Sequence, residues 1–148
     1  MALAGLPVRT GWPDTGGQVA VWGHAARAHR GERMAARTGA ALLRIEDGFL
    51  RSIYPGRRGE PPLGLLIDRT GIHYDPTRPS DLEGLLATHP FDDHALITRA
   101  RNAMDRWRAL GLSKYNAHDL AAPLPAPGYV LVVDQVRGDA SLRHGGLD

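Results

Sequence analysis

Two segments of this chain carry carboxylates in settings that suit chemistry. They are Leu43-Arg44-Ile45-Glu46-Asp47-Gly48-Phe49-Leu50-Arg51-Ser52 and Tyr129-Val130-Leu131-Val132-Val133-Asp134-Gln135-Val136-Arg137-Gly138-Asp139-Ala140-Ser141. Each is an apolar run that breaks into acids and glycine, as when a buried strand of an open α/β sheet delivers polar groups to the crevice at its carboxyl end. Carboxylates gathered from distant parts of a chain can divide acid, base and nucleophile work. Successive strand residues point to opposite sides, so only one of Glu46 and Asp47 need face a crevice. Gly48 lets the backbone turn and a ligand approach closely. Asp139 and Ser141 fall in a glycine-containing loop, which can offer backbone N–H groups and a hydroxyl to an anion. A third segment, Ser113-Lys114-Tyr115-Asn116, sets the sole lysine beside Tyr and Asn and suits an anion or a sugar.

Each motif also has a structural reading. Glu46-Asp47-Gly48 can be a turn whose acids are solvated or paired with Arg44 or Arg51. The Asp134–Ser141 stretch can be a strand-to-helix turn with an Asp or Ser cap. Ser113–Asn116 can be a cap and loop. The spacing of Asp134 and Asp139 also fits a magnesium-dependent phosphohydrolase, although a third acid in a recognisable context is missing. The 7 histidines show no metal-ligand spacing and read as surface or loop residues. No phosphate-binding glycine loop or nucleophile elbow is present.

These residues need elements to position them. Gln18–Trp22 reads as a strand, Ala25–Thr38 as an Ala- and Arg-rich helix closed by Gly39, and Ala41–Ile45 as a second strand. That order is a βαβ unit, with a parallel strand pair and a right-handed crossover. Arg51–Pro62 is a loop. Leu63–Ile67 and Ile72–Tyr74 read as a small hairpin around Asp68-Arg69-Thr70-Gly71. Ser80-Asp81-Leu82-Glu83 is a capping box for a short helix. Asp92 or Asp93 caps a longer helix to about Leu110, stopped by Gly111. Its stripe of Leu96, Ala100, Ala103, Met104, Trp107 and Leu110 reads as core. Ala121–Gly128 is an extended proline-containing connector, and Tyr129–Val133 is the most apolar strand. The expected domain organisation is an α/β subdomain over 1–128, and the start of a further strand and loop over 129–148 with no helix after it.

With 148 residues, 43% of them hydrophobic, the chain is large enough for a soluble domain with its own core. No apolar run approaches the ~20 residues of a membrane span, and the first residues lack the basic start of a signal peptide. A cytoplasmic location is the expectation. The absence of cysteine excludes disulfides and thiolate metal sites. A net charge of +2 without a basic block argues against nucleic-acid binding. Lys+Arg total 18, all but one of them arginine. That bias reflects either genome composition or recognition of anionic ligands by guanidinium forks.

Taken in order, Val21-Trp22-Gly23, Arg44–Ser52, Ser113–Asn116 and Val132–Ser141 resemble the capsule polysaccharide biosynthesis and export family, whose members include retaining β-Kdo glycosyltransferases. The likeness runs from about Gly17 to the end. It implies a Rossmann-like α/β fold, the amino-terminal half of a GT-B glycosyltransferase. It implies CMP-Kdo as donor, a phospholipid-linked glycan as acceptor, no metal or cofactor, and possible peripheral contact with the inner membrane. By the resemblance Glu46 is the general acid/base and Asp139, the carboxylate after Gln135, the nucleophile, rather than Asp134 at the strand end. Asp47, Gly48, Arg51, Ser52, Lys114, Tyr115, Asn116, Asp134, Gln135 and Ser141 become substrate-binding candidates. Kdo carries its own carboxylate, so Arg51, Lys114, Gln135 and Ser141 are expected to hold it. The family's Lys-x-His-Pro motif is not found in this sequence. The chain therefore reads as part of one transferase module, lacking the carboxyl-terminal half that contacts the nucleotide.

Overall fold

The computed structural model describes residues 2–3 and 6–146. Two short strands near the amino terminus, β1 (Ala2–Leu3) and β2 (Leu6–Pro7), pair antiparallel. The main sheet has three strands in the order β3 (Gln18–Trp22), β4 (Ala41–Asp47) and β5 (Leu65–Asp68). β3 and β4 are parallel, in the register Gln18↔Ala41 to Trp22↔Ile45, and helix α1 (Ala28–Thr38) connects them. The expected βαβ unit is therefore present.

α1 lies on the sheet through small residues. Ala28 and Ala35 are buried, and a methyl group at Gly31 would overlap the Val21 side chain. That spacing brings the helix backbone close to β3. Gly39 ends α1 in the left-handed conformation, at φ 66°. Val21, Leu43, Ile45 and Ile72 complete the small apolar core.

The hairpin expected over Leu63–Tyr74 does not form. β5 instead pairs antiparallel with β4, from Arg44↔Asp68 to Asp47↔Leu65, so the sheet is mixed. Ile72–Tyr74 leads into a turn, with Ile72 fully buried. A short apolar run becomes a strand where a free edge offers it a partner, and β4 offers that edge to Leu65–Asp68.

Asp68 closes β5 and anchors the next turn and helix. Its Oδ1 accepts from the N–H groups of Thr70 at 2.9 Å and Gly71 at 2.7 Å, and its Oδ2 from Asp81 N–H at 3.0 Å. Burial alone would raise the pKa of this carboxyl, but the N–H groups of Gly71, Thr70 and Asp81 outweigh it and hold the carboxyl below its usual value. Helix α2 (Asp81–Thr88) starts at this anchor with the expected capping box. Ser80 Oγ accepts from Glu83 N–H at 3.2 Å, and Glu83 Oε2 accepts from Ser80 N–H at 2.8 Å.

Helix α3 (His94–Ala109) is capped by Asp93, which accepts from Leu96 N–H at 2.9 Å. Its apolar stripe is not core among the described residues. Leu96, Met104 and Leu110 are exposed, and only Ile97 and Trp107 are half-buried. Tyr129–Val133, expected as a strand, has no strand partner among the described residues, and all five side chains are exposed. Helix α4 (Ala140–Gly145) comes next, contrary to the expectation of no further helix, and Asp139 caps it.

Ser80 is almost fully buried, so its loss cannot be made good by water. Ser80→Ala should cost about 1 kcal/mol. A urea titration should show a lower midpoint with an unchanged slope.

Candidate active site

The carboxyl ends of β3 and β4 lie side by side, and this is where Glu46 and Asp47 emerge. Gly23 N–H continues the parallel ladder by donating to Ile45 carbonyl at 2.8 Å. As the strand alternation predicts, the two acids point to opposite sides.

Glu46 faces the Gly23–His24 loop and the turn after β5. Its Oε2 accepts from the Tyr74 hydroxyl at 3.3 Å and its Oε1 from Asp47 N–H at 3.1 Å. The Tyr74 oxygen accepts from His24 N–H at 3.1 Å. His24 Nε2 meets Asp75 Oδ2 at 3.0 Å. Asp75 Oδ1 accepts from Thr77 N–H at 2.9 Å and from the Thr77 hydroxyl at 2.6 Å. The Thr77 bonds, assisted by the facing His24, bring the Asp75 carboxyl from its usual 3.8 down to about 2. Arg44 lies beneath, donating to Gly23 carbonyl and to Glu32, each at 2.7 Å. Glu46 itself is half-buried.

Asp47 faces the other way and is committed to Arg51, whose Nε donates to its Oδ1 at 2.8 Å. Arg51 is buried. It also donates to Ser52 Oγ at 2.8 Å and to Glu60 carbonyl at 3.0 Å. The Ser52 hydroxyl donates to Tyr54 carbonyl at 2.6 Å. The side chains of Arg51 and Ser52 thus spend their polar atoms on the loop itself. Gly48 N–H donates to Gly64 carbonyl at 3.0 Å, and a Cβ at Gly48 would lie 2.7 Å from the Gly64 carbonyl carbon. Glycine at 48 is therefore required by this backbone contact.

The Ser113–Asn116 segment is stitched to the same loop. Lys114 carbonyl accepts from the N–H groups of Arg51 at 3.1 Å and Ser52 at 3.3 Å. Ser52 and Tyr115 form an isolated parallel bridge, and Asn116 Nδ2 donates to Ser52 carbonyl at 3.2 Å. Two motifs distant in sequence are joined mainly through backbone groups. The Lys114 side chain remains exposed, 5.9 Å from the Tyr115 ring centroid.

Lys114 also borders a cavity of about 450 Å³, lined by Phe49, Met104, Trp107, Arg108, Leu112 and Ser113 among others. Phe49 packs edge-on against Trp107 with ring centroids 4.6 Å apart. Asp139 is the cap of α4: its Oδ1 accepts from Ser141 N–H at 2.9 Å and from the Ser141 hydroxyl at 2.7 Å. The Ser141 bonds, with lesser help from Arg143 and Lys114, lower its pKa. The capping reading of this stretch is thus realised. Asp134 and Gln135 are exposed, and Gln135 N–H donates to Asp134 Oδ1 at 2.7 Å.

The structure brings Arg51, Ser52, Lys114, Tyr115 and Asn116 together, with Lys114 close enough to Asp139 to influence its charge. Neither Glu46 nor Asp139 lines the 450 Å³ cavity. Among the described residues no three His, Asp or Glu side chains gather as a metal-binding group. Sequence reasoning missed Tyr74, Asp75 and His24. Tyr74 lies in Ile72–Tyr74, which reads as a strand, and Asp75 opens the stretch that follows it.

Fold and motifs define an α/β domain that presents two acids at the carboxyl end of a parallel strand, where open α/β sheets place their ligand crevices. Residues 17–126 match the capsule polysaccharide biosynthesis protein family, and the chain belongs to that family. It is 37% identical over 134 residues to the capsule polysaccharide modification protein LipA of Neisseria meningitidis serogroup B, covering 86% of this chain and 19% of LipA. It is 47% identical over 109 residues to the lipopolysaccharide-processing protein LpsZ of Rhizobium meliloti, covering 70% of this chain and 25% of LpsZ. The β-Kdo 2,4-transferase of Thermosulfurimonas dismutans KpsC superposes with a TM-score of 0.72 at 36% identity, over 87% of this chain and 41% of that one. The chain thus spans about a fifth to a quarter of the length of these sequence relatives. The expected family and α/β fold are both borne out.

The Asp75 geometry yields a prediction. A carboxyl whose pKa is lower in the folded state stabilises the fold above its unfolded value, and that contribution fades as pH falls through the folded value. From 3.8 to about 2 this amounts to about 2 kcal/mol at neutral pH. Asp75→Asn should therefore be less stable than the parent at pH 6, and the gap in urea midpoint should close between about pH 4 and pH 2. A gap that stays constant over that range would remove Asp75 as its source.

Proposed function

We propose that this chain carries part of a retaining β-Kdo transferase that moves Kdo from CMP-Kdo to a lipid-linked acceptor during capsule assembly. The observation that carries the reading is the likeness to the KpsC β-Kdo 2,4-transferase, at 36% identity and a TM-score of 0.72 over most of the chain. In this reading Asp139 attacks the anomeric carbon, the bond to the CMP phosphate breaks, and Kdo is held as an ester on the carboxylate. Glu46 then takes the proton of the acceptor hydroxyl as that oxygen displaces Asp139, so two inversions give net retention. CMP departs without a strong acid, because a phosphate is already a weak base. Lys114, exposed at the edge of the cavity, is the cation assigned to the Kdo carboxylate, with Gln135 and Ser141 as neutral donors. Arg51, Ser52 and Asn116 serve this site by holding the Lys114 loop. No metal enters the scheme. The reaction belongs at the cytoplasmic face of the inner membrane, where CMP-Kdo and the phospholipid acceptor meet. No described helix is long and apolar enough to cross that membrane.

One observation favours a second reading. Neither Glu46 nor Asp139 lines the 450 Å³ cavity, and the chain spans 41% of the KpsC chain. On that reading the chain is a catalytically silent binding or scaffold piece.

Incubation of the purified chain with CMP-Kdo and a lipid-linked Kdo acceptor separates the two. Transfer lost by about 100-fold or more in Glu46→Gln and abolished in Asp139→Ala is the expected result for the enzyme. Saturable CMP-Kdo binding without CMP release would establish the silent piece. Phosphate release abolished by EDTA would instead point to a metal-dependent phosphohydrolase.

A further inference from the structure

We propose that Tyr74 is a positioning residue for the Glu46 carboxylate, and that the His24–Asp75 pair holds Tyr74 in place. This rests on the reading of Glu46 as the proton-transfer group. Glu46 has one hydrogen bond on each oxygen, from the Tyr74 hydroxyl at 3.3 Å and from Asp47 N–H at 3.1 Å. The Tyr74 oxygen already accepts from His24 N–H at 3.1 Å. A lone pair so occupied directs the phenolic proton toward Glu46. The carboxylate plane is thereby fixed by two donors on separate elements, which leaves lone pairs on both oxygens for an incoming hydroxyl.

The support behind Tyr74 is double. His24 bonds Tyr74 through its backbone N–H and the adjacent Asp75 through its ring, at 3.0 Å. The loop after β3 and the turn after β5 are thus clamped at two neighbouring points. The Tyr74 ring also packs edge-on against His24 and His73, with centroids 5.9 and 5.2 Å away. Gly23 completes the fit: at φ 38° a Cβ there would overlap both the Tyr74 hydroxyl and Glu46 Oε2. The charged and titratable groups around the phenol are Glu46, Arg44, His24, His73 and Asp75. Burial, and then the Glu46 charge, raise the Tyr74 pKa above the usual 10.0, against the His24 N–H and Arg44.

The test reads the phenol directly. Ultraviolet difference spectra between the parent chain and Tyr74→Phe isolate Tyr74 from the other tyrosines. Glu46→Gln keeps an oxygen acceptor but removes the charge, and should bring Tyr74 ionisation to lower pH. Tyrosine labelled with ¹³C at Cζ follows the same shift, between the parent and Glu46→Gln, without needing Tyr74→Phe to fold. In the transfer assay, Tyr74→Phe should lower kcat about 10-fold with the KM for donor unchanged. A phenol that titrates identically in the parent and in Glu46→Gln overturns the positioning proposal, whatever the assay shows. A phenol that senses Glu46 while Glu46→Gln transfers Kdo normally keeps the contact and overturns the transferase role of Glu46.

Discussion

The parallel pairing of β3 with β4 is the constraint on which the rest depends. Its register runs to Trp22↔Ile45, and Gly23 N–H adds one more ladder bond to Ile45 carbonyl. That step delivers Gly23 beside Glu46. A slip by one residue would reverse every side chain on β4 and exchange the surroundings of Glu46 and Asp47. The pairing is held by α1, whose Ala28, Gly31 and Ala35 face allows close approach to β3. It is also held by Arg44, which reaches from β4 to the Gly23 carbonyl and to Glu32 on α1. One buried guanidinium thus ties both strands to the helix that crosses between them. Removing it would leave Glu32 without its partner and the Gly23 carbonyl without its donor.

Asp47 and Glu46 show how one dipeptide supports two kinds of work. Asp47 sits opposite Arg51, a buried cation that needs a counter-charge. Their pairing fixes the Phe49–Ser52 segment, and the backbone groups of Arg51 and Ser52 then receive the Lys114 loop. Gly48 and Gly64 allow the β4 end and the approach to β5 to touch at the backbone, so the segment cannot drift. Glu46, by contrast, faces partners that are polar but neutral at the contact, a phenol and an amide. Alternation along one strand thus commits Asp47 to anchoring and gives Glu46 a separate set of partners.

The parts of the fold legible in the sequence are those set by local interactions. β3, α1 and β4 are legible because alternation, Ala content and the Gly39 cap all act within a few residues. The α2 capping box is legible for the same reason. The failure of the expected hairpin has a non-local cause: whether Leu65–Asp68 pairs with Ile72–Tyr74 or with β4 depends on an edge roughly twenty residues away, which periodicity does not report. The exposed stripe of α3 and the unpaired Tyr129–Val133 share one lesson. An apolar pattern states what a segment would bury, but not which surface meets it. At the site, Glu46 and Asp47 are legible as a pair of acids on opposite sides. The buried role of Arg51 is not, because an arginine after a strand reads equally well as a ligand contact. Tyr74 is hidden in a stretch whose pattern suggests a strand and whose structure is a turn.

The two candidate carboxylates differ in how the chain holds them, and on the proposed transferase reading that difference has a mechanistic sense. Glu46 emerges from the sheet itself, bonded at both oxygens and backed by the His24–Asp75 clamp. Asp139 caps a six-residue helix beyond an exposed segment without a strand partner among the described residues, and its carboxylate accepts from Ser141 N–H and hydroxyl. A proton acceptor works at a distance set by one hydrogen bond, so it gains from a fixed frame. A nucleophile must travel toward carbon and back as a covalent ester forms and breaks. A carboxylate tethered to a single short helix has that freedom. The Ser141 bonds also lower the Asp139 pKa. The Lys114 loop, by contrast, has its position set by Arg51, Ser52 and Asn116.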